Sequence, residues 1–360
     1  MATLFDYLHW RGDLSFRQSR FNVVDSMILT RFSYLPFDNI VNDFPQTIQQ
    51  IGEHFFGVNR QNDPNIIMSK DNTLLETLMH TKRFSKLLVQ HYQNTVDVEQ
   101  EQQFSAMMFQ LDSRTTYVVF RGTDMTLVGW KEDFNMTFEN AIPSQIEAVS
   151  YLTKHQSDIK ERLILGGHSK GGNLAIYAGA FAPQDIRQKI VYIHNFDGPG
   201  FNEQMSTDEA FGPIQKKIKT FVPETAIVGM MLNHNTPYDI VKSSATNVLQ
   251  HDTYSWEIER NDFIYLEKRD ATSKHIQRSV SALLTRLSTE ERKTLGNAIY
   301  QMMLSANITD VRDFSVNTPH KLLKMMKAYG ELDKETSKLI TETIQLFVKS
   351  ITKDVLKKKE

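Results

Sequence analysis

The middle of the chain carries short runs of apolar residues separated by polar segments. The runs are no longer than eight residues, rich in β-branched or aromatic side chains, and bounded by Gly, Pro, Asp or Asn. This is the pattern of buried strands. The segments predicted to form strands are 104–111, 115–120, 163–165, 189–196, 218–222 and 238–243.

Helical patterns lie between these strands. Residues 144–155 carry Ile146, Val149 and Leu152 at helical spacing, and residues 173–182 form a second helical stretch. Alternation of strands and helices predicts an α/β fold, with a mainly parallel sheet covered on both faces by flanking helices.

Both ends of the chain have a helical pattern instead. Leucines and a phenylalanine within 74–88 recur at helical spacing. From about residue 275 the pattern is helical throughout, with a capping box at Ser288 and Glu291. The sequence therefore predicts a mainly helical N-terminal part over 1–95 that packs on the core. It predicts an α/β core over 96–275 and a C-terminal helical region over 276–360.

Composition narrows the possible chemistry. The 360 residues include no cysteine, which excludes disulfides, thiolate metal sites and cysteine nucleophiles. The formal net charge is −2, so no global basic field favours a nucleic-acid partner. The H-E-x-x-H, P-loop and G-x-G-x-x-G patterns are missing from the sequence. We therefore expect no cofactor and no metal.

The apolar runs also bear on location. Asp6 and Arg11 interrupt the N-terminus too early for the apolar core of a signal peptide. No run reaches the roughly 18 apolar residues that a membrane-spanning helix needs. The sequence predicts a cytoplasmic protein without an integral membrane span, and it does not indicate the oligomeric state.

The clearest chemical signal is the G-x-S-x-G pattern at 167–171, centred on Ser169. The pattern follows an apolar strand and precedes a helix of small residues. A strand that turns this sharply into a helix needs both glycines, because the two backbones nearly touch. Ser169 would lie at a helix N-terminus, where N–H groups stabilise developing negative charge. We interpret Ser169 as a candidate nucleophile; the alternative is a glycine-rich turn with an incidental serine.

A second signal, F-R-G-T-D at 120–124, follows a predicted strand. Acyl transfer needs two N–H donors for the oxyanion: the amide after the nucleophile, here Lys170, and one from the loop after an earlier strand. Thr123 is the candidate for the second donor, and its hydroxyl is a candidate third. Taken alone, this segment is as typical of a strand-end turn with a structural arginine.

Together these motifs resemble those of the class 3 lipases. G-H-S-K-G-G-N-L-A at 167–175 is similar to the nucleophile turn of those enzymes, and F-R-G-T at 120–123 to their oxyanion segment. A closer resemblance is to a family of uncharacterised bacterial proteins related to them. It extends to D-Y-L-H-W-R-G-D at 6–13, N-F-D-G-P-G-F at 195–201 and Q-H-D at 250–252. The resemblance implies an α/β-hydrolase fold and a Ser–His–acid triad, and it implies no particular substrate.

The chain departs from the lipase pattern at two positions. Lys170 replaces an apolar residue after the nucleophile, which argues against an apolar acyl pocket beside the serine. Ala226 stands where the lipases have their triad acid. The acid must therefore be sought from the order of residues along the chain.

In α/β-hydrolases the acid and then the histidine follow the serine. His251, after the last predicted strand, is the preferred base, and His234 is the alternative. His194 lies inside a predicted strand and is interpreted as a core histidine. For the acid, Asp197 at the end of strand 189–196 is preferred, Glu224 after the next strand is second, and Asp239 is third.

The sequence predicts a serine hydrolase of carboxylic esters, in the range of lipases, esterases and thioesterases. Its substrate would be a small-molecule or lipid ester. The alternative is a catalytically silent α/β-hydrolase with a binding or regulatory role. Segment 125–140, which includes Trp130 and Phe134, is interpreted as either a lid or a plain surface helix.

Overall fold

A computed structural model describes residues 2–41, 45–315 and 318–356 of the chain. Its α-helices are α1 (Leu4–Arg11), α2 (Val23–Phe32), α3 (Ile48–Gly57), α4 (Ser69–His80), α5 (Leu127–Asn135), α6 (Pro143–Lys154), α7 (Lys170–Phe181), α8 (Gln184–Lys189), α9 (Glu203–Ser206), α10 (Ala271–Arg286), α11 (Thr289–Ser305), α12 (Thr318–Gly330) and α13 (Lys334–Leu356). Its strands are β1 (Gln46–Thr47), β2 (Leu88–Asp97), β3 (Gln102–Gln110), β4 (Thr115–Phe120), β5 (Arg162–His168), β6 (Ile190–Phe196), β7 (Ile218–Pro223), β8 (Tyr238–Val241), β9 (Ile258–Glu259), β10 (Asp262–Phe263) and β11 (Tyr265–Leu266).

Nine of these strands form one mixed sheet in the order β1-β2-β3-β4-β5-β6-β7-β8-β11. Strands β4 to β8 pair in parallel, and the pairs toward both edges are antiparallel. The carboxyl ends of parallel strands meet at one edge of a sheet, which is where ligands bind in open α/β sheets. The loops after β4, β5, β6 and β7 therefore lie together at that edge.

Two apolar layers cover the sheet. Along β3 and β4, side chains alternate between the layers, as the period of two in a strand requires. Met107 and Val119 pack with helices α1 to α4, whereas Met108 and Val118 pack with α6 and α7. The predicted α/β class, with helices on both faces, is confirmed.

The predicted strands agree with the observed ones closely where both faces are buried. Segment 115–120 coincides with β4, and 218–222 lies within β7. The helical pattern assigned to 74–88 was wrong beyond His80, where α4 ends, because Leu88 begins strand β2. Polar residues such as Gln90 and Asn94 fill much of β2, and its pairing with β3 contains a bulge between Gln90 and Gln93. A polar, irregular strand has no apolar alternation to reveal it.

The C-terminal residues form helices α10 to α13, as predicted, and Ser288 caps α11 through the expected capping box with Glu291. A separate apolar cluster formed by α11 and α13 also contacts Phe134 of α5. The division of the chain at 95/96 and 275/276 stays a prediction. Strand β2 crosses the first of these boundaries, and α10 crosses the second.

His194 gives the fold a testable dependence on pH. It lies buried in β6, where Nδ1 is 2.8 Å from Ser26 Oγ, and burial lowers its pKa from 6.5 to about 4. The unfolded chain therefore binds this proton at higher pH than the folded chain does, so stability present above pH 6.5 is lost as the pH falls toward 4. Between pH 6.5 and pH 4, the unfolding free energy of the wild type should fall by about 3 kcal/mol because of this histidine. We expect His194→Gln to lack this part of the fall when unfolding in urea is measured across the same pH range.

The exposed His80 serves as the matched control for this measurement. His80→Gln should leave the slope of unfolding free energy against pH as it is in the wild type. An unchanged slope in His194→Gln would contradict the argument.

Candidate active site

Ser169 forms the turn between β5 and α7. Its backbone has φ 56° and ψ −134°, a left-handed conformation that a non-glycine residue adopts only under constraint. The Ser169 amide donates to the Phe196 carbonyl of the neighbouring strand end at 3.0 Å. The serine is thereby held between the end of the strand and the N-terminus of α7.

Two glycines permit this turn. A Cβ atom on Gly167 would lie 2.2 Å from the Gly171 backbone, and one on Gly171 would lie 2.1 Å from the Phe120 carbonyl oxygen. Both positions exclude any side chain because backbone atoms stand on the other side. The spacing of the motif thus reflects direct contact between β5, α7 and the end of β4.

His251 and Asp197 are joined by a short hydrogen bond. His251 Nδ1 is 2.6 Å from Asp197 Oδ2, although the residues are 54 positions apart in the chain. The Asp197 carboxylate is 1% exposed, and its other oxygen accepts from the Gly229 amide at 3.2 Å. Burial raises the pKa of Asp197 above its usual range, while the hydrogen bond from His251 acts in the opposite direction.

The other residues considered for the triad acid and base make no hydrogen bond to His251 or Asp197 in the described structure. Among the described residues, the half-buried Glu224 carboxylate makes no hydrogen bond, and Asp239 is exposed on β8. His234 lines a separate cavity of about 520 Å³, and burial lowers its pKa to about 4. His194 faces Ser26 inside the sheet. The structure thus brings His251 to Asp197 and brings none of these alternatives to either.

His168 connects the serine turn to the His251 loop. Its Nε2 is 2.8 Å from the His251 carbonyl oxygen, and its Nδ1 is 2.9 Å from Tyr34 Oη. A carbonyl can only accept, so Nε2 carries the proton and the tyrosine hydroxyl donates to Nδ1. Burial lowers the pKa of His168 well below 6.5, which keeps the ring neutral.

The same contact brings His251 against the residue that precedes Ser169. The rings of His168 and His251 are 4.4 Å apart between centroids, and His168 directly precedes Ser169. Within the described ranges no hydrogen bond joins Ser169 Oγ to His251. Catalytic hydrogen bonds are often long without substrate and shorten when it binds.

Sequence reasoning missed Tyr34 and the role of His168. Tyr34 lies 134 positions before His168, in the loop after α2. No local pattern marks a tyrosine as a partner over that separation. His168, in contrast, occupies the variable position before the serine, where a polar ring at the end of a buried strand was a usable signal.

Thr123 is anchored by an acid on α5. Its hydroxyl donates to Asp133 at 2.8 and 2.6 Å from the two carboxylate oxygens. Burial raises the pKa of Asp133 to about 6, while the nearby Lys170 acts in the opposite direction. With Asp133 ionised, the single Thr123 hydroxyl proton is already donated, so the expected third oxyanion donor is not available in this arrangement.

Lys170 points away from the serine into a buried network. Its ammonium donates to Glu132 Oε2 at 2.8 Å, to the Gln103 carbonyl at 2.8 Å and to Gln103 Oε1 at 3.0 Å. Glu132 also accepts from the amides of Gln103 and Ser144. The side chains of Lys170 and Glu132 are 1% and 0% exposed. The Lys170 amide is the first of α7, and the first amides of a helix have no acceptor within it.

A cleft of about 130 Å³ lies at the loop after β4, and Tyr34, Arg121, Met125, Thr126 and Arg312 are among the residues that line it. Within segment 125–140, α5 is fixed to the sheet by Glu132 and to the C-terminal helices by Phe134. Trp130 is 53% exposed. These contacts favour a fixed wall over a mobile lid for this segment.

The described residues contain neither a metal-binding cluster nor a membrane-spanning helix. In that part of the chain no group of three or more His, Asp or Glu side chains is arranged to hold a metal ion. No helix there is both long and apolar enough to cross a membrane.

A family model described as Mbeg1-like matches residues 78–301, which is more than half of the chain and includes both sequence motifs. This match confirms the family resemblance predicted from the motifs. No curated protein matches the chain.

Solved lipase structures match the chain at low identity and with low TM-scores. The native propeptide complex of Rhizomucor miehei lipase matches 44% of this chain and 57% of its own, with 18% identity and a TM-score of 0.30. The crystal structure of M37 lipase matches 58% of this chain and 68% of its own, with 13% identity and a TM-score of 0.35. The chain thus spans little more than half of the Rhizomucor miehei lipase chain.

Proposed function

This chain belongs to the Mbeg1-like family, and we propose that it is a serine hydrolase that acts on carboxylic esters. The observation that carries the proposal is the 2.6 Å hydrogen bond between His251 and the buried Asp197 carboxylate, at the sheet edge that holds the Ser169 turn. A buried acid, an imidazole and a serine on a strained turn are the parts of a hydrolytic triad.

In this mechanism Ser169 Oγ attacks the ester carbonyl carbon while its proton passes to His251 Nε2. Asp197 holds the imidazole tautomer and stabilises the imidazolium through Nδ1. The amides of Lys170 and Thr123 donate to the oxyanion of the tetrahedral intermediate. His251 then protonates the departing alcohol, and a water molecule activated by His251 hydrolyses the acyl-enzyme to release the acid.

Two residues act through others in this proposal. Tyr34 fixes the tautomer of His168, and His168 holds the backbone of the loop that carries His251. Both are positioning residues, since neither touches the reacting atoms. A cytoplasmic location is part of this proposal and is based on the sequence alone. The ester substrate is likewise proposed, on the basis of the candidate triad.

Labelling by a fluorophosphonate probe tests the proposal, because the probe modifies only a serine that a base activates. We expect the full-length protein to be labelled, mass spectrometry to place the modification on Ser169, and Ser169→Ala to remain unlabelled. Denatured wild-type protein is the matched negative control.

A folded protein that stays unlabelled would overturn the proposal and favour the silent binding protein instead. So would labelling that persists in Ser169→Ala. Hydrolysis of short p-nitrophenyl esters by the labelled preparation should fall in step with the labelled fraction.

A further inference from the structure

Helix α12 exposes three large apolar side chains on one face. Leu322, Leu323 and Met326 are 51%, 64% and 69% exposed. They are spaced one, three and four residues apart, so they lie side by side on the helix surface. On a surface helix of a monomeric protein, such residues normally face the protein core.

The same helix is strongly basic. Its 13 residues include Lys321, Lys324 and Lys327 and no acidic residue, in a chain whose net charge is −2. The Lys321 ammonium donates to the Asp313 carbonyl. Within the described part of the chain, Lys324 and Lys327 make no ion pair or side-chain hydrogen bond. Lys327 borders the three apolar side chains directly, and Lys324 lies further round the helix on the same side as Lys327. We call Leu322, Leu323 and Met326, with these two lysines at their border, the α12 face.

A segment that precedes α12 in the chain contacts the loop after β4. The Leu127 amide donates to the Thr309 carbonyl and the Val311 amide donates to the Met125 carbonyl, both at 2.8 Å. Met125 directly follows the Thr123–Asp124 turn, and Arg312 lines the cleft beside it. Residues 309–312 therefore lie beside the loop that carries Thr123.

We propose that the α12 face binds an anionic phospholipid surface. Apolar side chains flanked by lysines, with no acid between them, match the layering of acyl chains beneath anionic headgroups. An anionic bilayer complements both the charge and the apolar surface of this face. The rest of this chain, which is acidic overall, would as a binding partner complement only the charge. Helix α12 lies outside the residues that the family model matches, so the surface belongs to this chain's C-terminal region. The proposal goes beyond hydrolysis and does not require it.

Flotation of the full-length protein with lipid vesicles tests the proposal. We expect binding to vesicles of equal parts phosphatidylcholine and phosphatidylglycerol, weak binding to phosphatidylcholine alone, and loss of binding at high salt. Each lysine near such a surface changes partitioning by about fivefold, so Lys324→Gln/Lys327→Gln should weaken binding by more than about tenfold. Leu323→Ser/Met326→Ser should weaken it by about tenfold or more.

Matched controls carry the same substitutions on other surfaces. Val96 and Val98 are 46% and 60% exposed on the hairpin of β2 and β3, and Lys154 and Lys160 are exposed at the opposite edge of the sheet. Val96→Ser/Val98→Ser and Lys154→Gln/Lys160→Gln should float like the wild type.

Three results would overturn the proposal. The first is wild-type protein that stays unbound with anionic vesicles, and the second is α12-face variants that float like the controls. The third is a wild-type dimer in sedimentation equilibrium that Leu323→Ser/Met326→Ser dissociates, since the face would then bind a second copy of the chain. Ser169→Ala should float like the wild type, so failure of the proposed hydrolysis is separated from failure of membrane binding.

Discussion

Replacing Asp197 with asparagine is expected to lower kcat for a p-nitrophenyl ester by about ten-thousand-fold, the loss seen when a triad acid is neutralised. The asparagine amide can face His251 Nδ1 with an N–H group, which would force the imidazole into the wrong tautomer. The Asp197 carboxylate is the buried partner of His251 at 2.6 Å, and no other acid reaches that ring in the described residues. The loss should appear in kcat, with KM nearly unchanged.

Glu224→Gln is the matched control for this experiment. Glu224 also follows a strand and also lies between Ser169 and His251 in the chain, but its carboxylate makes no hydrogen bond among the described residues. We expect Glu224→Gln to keep kcat within about twofold of the wild type. Thermal unfolding of both variants shows whether the folds are intact. A large loss in Glu224→Gln together with a small one in Asp197→Asn would reverse the assignment.

The central strands could be predicted from the sequence because they are buried on both faces. Strand β4 is buried at every position and β7 at every position but Lys219, and polar residues flank both apolar segments. Strand β2 could not be predicted, since its burial comes from pairing with β3 and from tertiary contacts of polar side chains. Arg121, for example, donates to Asn94 in β2 at 2.9 Å.

In the candidate site, too, local features could be predicted from the sequence and long-range contacts could not. The Ser169 turn is local, so the two glycines and the flanking strand and helix are enough to predict it. The choice between Asp197 and Glu224 is not local, because it depends on which strand end the His251 loop approaches. That approach is fixed by His168 and, through it, by Tyr34. A contact over 134 residues leaves no trace in a single sequence.

Lys170 shows how a charge can be misjudged from sequence alone. Lys170 directly follows the candidate nucleophile in the sequence, so its charge argued against an apolar pocket beside the serine. The side chain instead turns into the protein, where it is 1% exposed and bound to Glu132. The space beside Ser169 is therefore not occupied by this ammonium, and the argument against an apolar pocket loses its basis.

The buried pair makes Lys170→Met a strongly destabilising change. Removal of the ammonium leaves the fully buried Glu132 carboxylate without its cation, and breaking a buried pair in this way costs about 3–5 kcal/mol of unfolding free energy. The double variant Lys170→Met/Glu132→Gln removes both charges and should recover most of that loss. Urea unfolding of the wild type and the variants measures these differences.

Lys131→Met is the control, because Lys131 lies on the same helix as Glu132 but its partner Glu101 is 32% exposed. Water can solvate Glu101 when its partner is removed, so this variant should lose about 1 kcal/mol or less from the ion pair. If Lys170→Met were as stable as Lys131→Met, the pair would not hold α5 to α7. If the double variant regained stability but not esterase activity, Lys170 and Glu132 would be placed as positioning residues of the oxyanion amides. The test therefore separates a role in folding from a role in catalysis.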